Sequence, residues 1–379
     1  MILSQFGAQM LSVAVSWDLY EQTKSAVVLG NVGFAQVAPF LMFALFAGQA
    51  VDRGDRRRIL ILTQIVFVAA SSLLMAGFHS VGPIYTCLFL MAAARAFQWP
   101  ARQATLPHLV PPEVLNNAIT WSSSSNEIAA VSGPAIAGLL IAWRGAHVVY
   151  ILQTVCAILT VLCFLGMRYR SEPNPHPEPR TMKSLLEGMH FVRENKLILS
   201  AITLDLFGVL FGGAVALLPI YAVEILHVGA AGLGWLRAAP SVGAVSMAVI
   251  TAHRPKVHAA GRTLLLAVAG FGAATIVFGI SRSFWLSMAM LLLVGAFDNV
   301  SVVLRQSLTQ MQTPDRLKGR VFAVNSIFIS SSNQLGAVES GWTAAWFGAV
   351  ASVVGGGVAT LAVVAVCAGM WPQLRKWRQ

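Results

Sequence analysis

Apolar runs of about 20 residues recur along nearly the whole chain, each closed by a short polar stretch, and this pattern limits the fold more than any other feature. A helix needs about 20 apolar residues to cross the hydrocarbon core of a bilayer, where every backbone N–H and C=O must be satisfied within its own segment. Twelve such runs can be drawn, at about 2–20, 27–51, 59–78, 83–101, 118–142, 147–167, 197–222, 230–252, 263–281, 284–303, 321–346 and 347–370. The last two are barely separated, around Trp346-Phe347-Gly348. Continuous runs, rather than alternating ten-residue segments, argue against a β-barrel. Twelve spans take up roughly 240 residues, and most of the rest of the 379 go into short connections. Only 11% of the residues are charged, against about 25% in soluble domains. An ordinary soluble enzyme, a disordered chain and a fibre are thereby excluded. The expected fold class is an all-α membrane protein of twelve transmembrane helices.

The net charge of +11 is explained by where the basic residues fall. With a cytoplasmic N-terminus, 21 of the 26 Lys and Arg residues lie in inside segments, three (Lys24, Arg144, Arg282) lie outside, and Arg95 and Arg237 lie within spans. The inside set includes Arg102 and Arg305. This asymmetry predicts both termini on the cytoplasmic side of an inner, or plasma, membrane. Anionic lipid then accounts for the basic surplus, and no nucleic-acid partner is needed. The first run carries no positively charged lead, so a cleavable signal peptide is not expected.

Residues 169–181 read YRSEPNPHPEPRT, with prolines at 173, 175, 177 and 179, which favours an extended linker. Residues 182–195 follow as a candidate amphipathic helix on the inner surface. The expected organisation is a six-helix bundle over 1–168, a cytoplasmic linker with a short surface helix over 169–196, and a second bundle over 197–379. The two halves repeat. At an offset of 203 residues, Arg102-Gln103 matches Arg305-Gln306, and Pro111 matches Pro314. Gly133 and Gly138 match Gly336 and Gly341, and Trp143, Gly145 and Ala146 match Trp346, Gly348 and Ala349. Both halves start inside, so the repeat is parallel, about an axis along the membrane normal.

Between the second and third runs the chain reads Gly48-Gln-Ala-Val-Asp52-Arg53-Gly-Asp55-Arg56-Arg57-Arg58. Gly48 permits close packing, and Asp52 is placed to cap the third span. The segment resembles the loop motif of the major facilitator superfamily. The resemblance implies that Asp52 and Arg53, with Gly48, Arg56 and Arg57, form a conformational latch, although Asp55 stands where that family usually has glycine. The fifth span holds Ser132-Gly133-Pro134-Ala135-Ile136-Ala137-Gly138. It is similar to the Gly-Pro signature of antiporter-type members, while small residues also serve helix packing alone. Further segments resemble the enterobactin-exporter branch, often called transmembrane secretion effectors. They include Pro100-Ala101-Arg102-Gln103-Ala104, Leu204-Asp205-Leu206-Phe207, Gly234-Trp235-Leu236-Arg237-Ala238-Ala239-Pro240 and Ser332-Asn333-Gln334-Leu335-Gly336. Members of that branch usually carry a short basic lead before the first span, which this sequence begins without.

A charge at mid-bilayer costs about 2.5–3.5 kcal/mol on insertion scales, so Arg95, Glu127, Asp205, Arg237, Asp298 and Glu339 need reasons. Asp18 lies nearer the outer end of its span. In the fold that the resemblance implies, helices one, four, seven and ten line a central cavity, and these carry Asp18, Arg95, Asp205 and Asp298. Arg95 and Asp298 are also equivalent in the repeat. The expectation is an ion pair of Arg95 with Asp205 or Asp298, either switched by protonation or permanently structural. Arg237 and Glu339 share a depth and are expected to form a static pair. Glu127 is open between packing and proton binding, and the Ser332-Asn333-Gln334 patch with Asn299 between substrate and helix contacts.

The four cysteines lie in apolar runs without CxxC or metal spacing, and the eight histidines are scattered. No disulfide, metal or cofactor is expected, and the sequence carries no GxxxxGK[ST] or GxSxG. The expectation is a transporter and not an enzyme. It would export a bulky amphipathic small molecule, driven by the proton gradient and working as a monomer in the lipid bilayer. Import of a small polar or anionic solute, with Arg95 as a clamp, is the alternative.

Overall fold

In the computed structural model, residues 2–77, 80–167, 182–253 and 259–378 are described. They are helical throughout, with no strand among them. The order is α1 (Ile2–Thr23), α2 (Ala26–Arg53), α3 (Arg56–Met75), α4 (Val81–Thr105), α5 (Leu115–Arg144), α6 (Ala146–Gly166) and α7 (Met182–Glu194). After these come α8 (Lys196–Phe211), α9 (Leu218–Ile220), α10 (Gly229–Ala252), α11 (Ala260–Ile280), α12 (Phe284–Gln312), α13 (Asp315–Phe347), α14 (Ala349–Met370) and α15 (Pro372–Lys376). Each expected span has its helix. The seventh is composite. α8 ends at Gly212, and a tight turn over Ala214–Leu217, the single turn α9 and a wide turn over Tyr221–Ile225 complete it.

Nine stretches among the described residues are long and apolar enough by themselves to cross a membrane. α1, α4 and α13 reach span length at 22, 25 and 33 residues but are diluted by polar side chains such as Gln5, Gln9, Gln98, Arg102, Asn325 and Gln334. Hydroxyls in the spans mostly donate to a carbonyl one turn back, as do Thr105 to Ala101 (2.7 Å), Thr160 to Cys156 (2.8 Å) and Ser71 to Phe67 (2.7 Å). Such bonds satisfy a hydroxyl where no water is at hand.

The chain divides into two compact units, Met1–Thr23 with Phe34–Thr181, and Lys24–Gly33 with Met182–Gln379. The first turns of α2 thus group with the second unit. The cause is glycine: a Cβ at Gly30 would lie 2.9 Å from the Gly341 Cα, and one at Gly33 would strike the Gln334 carbonyl. Trp342 adds a hydrogen bond from its Nε1 to Asn31 Oδ1, 3.1 Å long. The linker expected over residues 169–181 lies outside the described residues. α7 also belongs to the second unit. Its Gly188 sits against the Arg320 backbone, its Glu187 pairs with Arg320, and its Val192 joins the core formed by Ile198, Leu308, Val321 and Val324.

Repeat-equivalent glycines do equivalent work. Gly145 (φ 81°) separates α5 from α6, and Gly348 (φ 88°) separates α13 from α14, a backbone region that side chains with a Cβ disfavour. This settles the boundary between the last two spans at Gly348. Gly133 in α5 lies against Phe6 and Gln9 of α1, and Gly336 in α13 lies against Val209 and Leu210 of α8. Elsewhere, α12 meets α10 where Gly295 lies under the Pro240 carbonyl. Association in lipid depends on such close backbone approach. Gly295→Ala should therefore lower stability by about 1–3 kcal/mol, as overpacking does, whereas Gly355→Ala, with nothing within 4 Å of its Cβ position, should change little. Thermal unfolding of the two variants in detergent checks this.

Candidate functional site

In the second unit, α8 and α12 bring an acid and a base together in the interior. Asn195 caps α8, its Oδ1 accepting from the Leu197 and Ile198 amides at 3.1 Å each. Two and a half turns on, Asp205 is 7% exposed and forms an ion pair with Arg305 of α12, which is 1% exposed. The sequence reading set Arg305 beyond the end of its span, in an inside segment, and did not foresee its burial. α12 runs to Gln312, nine residues beyond the expected end of its span, and carries Arg305 inside the fold. Asp205, one of the two acids expected for Arg95, is thus engaged with Arg305 within its own unit.

Beside the pair is a small cavity lined by Leu204, Asp205, Gly208, Val209, Val268, Phe271, Phe297, Asp298 and Ser301. Its free volume of about 10 Å³ is room for about one water molecule. Asp298, Ser301 and Arg305 follow one another at i, i+3 and i+7, a single stripe along α12. Asp298 has no hydrogen bond or ion pair among the described residues. A charge at such a depth costs about 2.5–3.5 kcal/mol, which a proton on the carboxyl removes. The neighbouring Asn299 also has a buried Oδ1 without a hydrogen-bond partner among the described residues. Sequence reasoning missed Ser301 and the buried role of Arg305. The heptad spacing from Asp298 to Arg305 was the available signal, had the helix been carried toward Pro314.

The first unit is arranged differently. Asp18 of α1 accepts a hydrogen bond from the Tyr150 hydroxyl of α6 at 3.1 Å, and Arg102 donates to Asn126 of α5 at 3.2 Å. Arg95 is exposed midway along α4, and Glu127 is exposed on α5. A guanidinium exposed at that depth faces a watery path in preference to hydrocarbon. Gln64 of α3, fully buried, accepts from Ser4 (3.3 Å) and Gln98 (2.8 Å), and its own Nε2 has no acceptor among the described residues. This three-helix amide network was not anticipated.

The loop motif has two parts. Asp55, not Asp52, caps α3, accepting from the Arg57 and Arg58 amides at 2.9 and 3.2 Å. The reason is that α2 continues through Arg53 and so takes Asp52 into its last turn; the Asp52 side chain lies outside the described residues. Arg56 donates to the Ala104 carbonyl (2.9 Å), and Arg57 to the Phe164 (3.1 Å) and Leu165 carbonyls. These basic residues satisfy the last carbonyls of α4 and α6, which a helix leaves open. Gly48 is buried and Arg53 exposed. Gly133, Pro134 and Gly138 are buried within α5, where Gly133 serves the packing on α1.

Arg237 of α10 and Glu339 of α13 are half-buried, and the Glu339 carboxylate accepts from the Ser340 hydroxyl at 3.4 Å. Asn333 donates to the Ile329 carbonyl of its own helix at 2.8 Å. Trp121, Trp143, Trp235 and Trp285 are exposed. No group of three or more metal-ligating side chains occurs among the described residues.

A family model described as transmembrane secretion effector matches residues 1–379. Macrolide efflux protein A of Streptococcus pyogenes is 32% identical over 205 residues, which are 51% of this chain and 49% of that protein, so the match spans about half the relative's length. Enterobactin exporter EntS of Escherichia coli O1:K1 is 26% identical over 376 residues, 98% of this chain and 89% of the exporter. Among solved structures, a bacterial homologue of the human lysosomal transporter Spinster superposes with a TM-score of 0.78 at 14% identity, covering 99% of this chain and 96% of its own. A POT family transporter in complex with 5-aminolevulinic acid gives 0.76 at 11% identity, with coverage of 98% and 94%. These likenesses establish a major facilitator fold.

Removing one member of a buried pair strands the other charge. Asp205→Asn should cost about 3–5 kcal/mol, whereas Asp205→Leu with Arg305→Met should recover most of the loss. Unfolding midpoints of the purified single and double variants test this.

Proposed function

The chain belongs to the transmembrane secretion effector family, and we propose that it is a proton-coupled exporter of a bulky amphipathic small molecule. It is a membrane transporter and not an enzyme. The observation that carries the export reading is the likeness to an enterobactin exporter along 98% of the chain. The match to a macrolide efflux protein over half its length points the same way. A siderophore, a macrolide-like drug or another secondary metabolite is the cargo class that these relatives suggest.

In this reading the two six-helix halves, joined by the linker at 169–196, alternate access to the cargo as a monomer, with both termini cytoplasmic. No cofactor takes part, and the proton gradient supplies the energy. The acids Asp18, Glu127, Asp205 and Asp298 are the candidate proton sites, and Arg95 offers an exposed cation on the path. Asp52 and Arg53 act as the latch between conformations. Arg237 and Glu339 form a structural pair. Import of an anionic solute is the second reading, supported by the exposed guanidinium of Arg95.

Transport in inverted vesicles carrying the purified protein tests the proposal. An imposed proton gradient should drive accumulation of a fluorescent amphiphile, and lumenal pH should rise as protons leave in exchange. Accumulation that is indifferent to the gradient would remove proton coupling. Uptake only of small anions, in the reverse direction, would favour import.

A further inference from the structure

We propose that Asp298 is the residue that binds the coupling proton, and that Ser301 with one water molecule connects it to the Asp205–Arg305 pair within the second unit. The transport role rests on the exporter reading above; proton binding by Asp298 does not.

Three observations converge. Asp298, Ser301 and Asp205 line one cavity, with room for about one water molecule. Asp205 is already neutralised by Arg305. Asp298 has no partner among the described residues. The cavity is therefore lined by two carboxyls, of which Asp205 is held by a guanidinium and Asp298 by none among the described residues, and the carboxyl without a counter-charge is the one that takes a proton in apolar surroundings. Helices α8, α10 and α11 pack against α12. Their ionisable groups are Lys196 and Asp205 on α8, Arg237 on α10 and Arg262 on α11. Lys196 and Arg262 stand in the first turns of their helices, and none of the four bonds Asp298 among the described residues.

The proton has a route. Asp298 gives its proton to the cavity water, the water passes one to the Ser301 hydroxyl, and Ser301 hands its own to the Asp205 carboxylate. One O–H bond breaks at Asp298, one forms at Asp205, and water and Ser301 end as they began. Arg305 then loses its charged partner while Asp298 gains a charge on the same stripe of α12. Its Nε, buried and without an acceptor among the described residues, leaves the guanidinium with a donor to follow that charge. Moving that one proton would thus change which acid holds α12, and hence how α12 is tied to α8.

Infrared spectroscopy of the purified protein in lipid tests proton binding without any cargo. The wild type should show a protonated-carboxyl C=O band at neutral pH that shifts in D₂O. Asp298→Asn should lose that band, the pair-free double variant Asp205→Leu with Arg305→Met should keep it, and Asp298→Glu should retain a displaced one, which also controls for folding. A band that survives Asp298→Asn unchanged, or that vanishes equally in the Asp205→Leu, Arg305→Met double variant, overturns the proposal. In inverted vesicles, Asp298→Asn should lose gradient-driven accumulation but still equilibrate cargo, and Ser301→Ala should slow gradient-driven exchange about tenfold or more. Full gradient-driven accumulation by Asp298→Asn would also overturn it. If wild-type vesicles move no cargo while the band is lost in Asp298→Asn, the export reading falls and the proton site stands.

Discussion

The pairing of Asp205 with Arg305 joins α8 to α12 by charge in a place where neither charge is stable alone. At a water-exposed surface such a pair contributes about 0–1 kcal/mol and tolerates loss. Buried, its formation is nearly neutral, but its disruption leaves an uncompensated ion. The pair therefore acts as a register pin more than as a source of stability. It sets which turn of α8 faces which turn of α12, and the cavity lined by Asp205, Asp298, Ser301 and Phe271 lies beside it. A change in protonation there is a change in how the two helices are joined.

Around this pin the helices are held by shape. Lipid tails are as apolar as leucine side chains, so burial of apolar surface does little to favour one helix neighbour over another. What distinguishes neighbours is the distance at which backbones can approach, and that is written in glycine. Gly213 and Gly336 seat α13 against the bend after α8, Gly295 lets α12 reach the Pro240 turn of α10, and Gly272 meets Gly357 between α11 and α14. The bend at Gly212-Gly213 places the end of α8 where α13 crosses, a few residues beyond Asp205. Packing and charge thus constrain the same segment.

The spans were legible because hydrocarbon imposes one requirement on every crossing segment, and nine stretches among the described residues meet it by length and composition alone. The repeat was legible because Gly145 and Gly348 must adopt the same backbone conformation. What could not be read was the fate of charges near the ends of runs. Arg305 lowers local hydropathy as a loop arginine does, and only its pairing with an acid on another helix marks it as buried. The sequence reading set the cap at Asp52, and Asp55 holds it. Which of them caps depends on where α2 ends, and that depends on packing further up the helix. Depth along a helix could be counted for Asp205, but the side of α8 on which it faces could not, so which acid Arg95 would meet stayed open.

The repeat gives both halves one plan, and the charges placed on that plan have diverged. Arg102 and Arg305 are equivalent, yet the first donates to the neutral Asn126 and the second is bound by the carboxylate of Asp205. Arg95 and Asp298 are equivalent and opposite in sign. The first half has therefore kept a guanidinium that is exposed, and the second a carboxyl that is unpaired among the described residues. A cation exposed at mid-span can attract an anionic group of a cargo or an acid, and it stays charged at any physiological pH. A carboxyl in apolar surroundings can instead change its charge. Exchanging an arginine for an aspartate at one duplicated position leaves the helix and its glycine contacts as they were. In the proposed reading, two copies of one scaffold then carry separate tasks, attraction in the first and proton storage in the second.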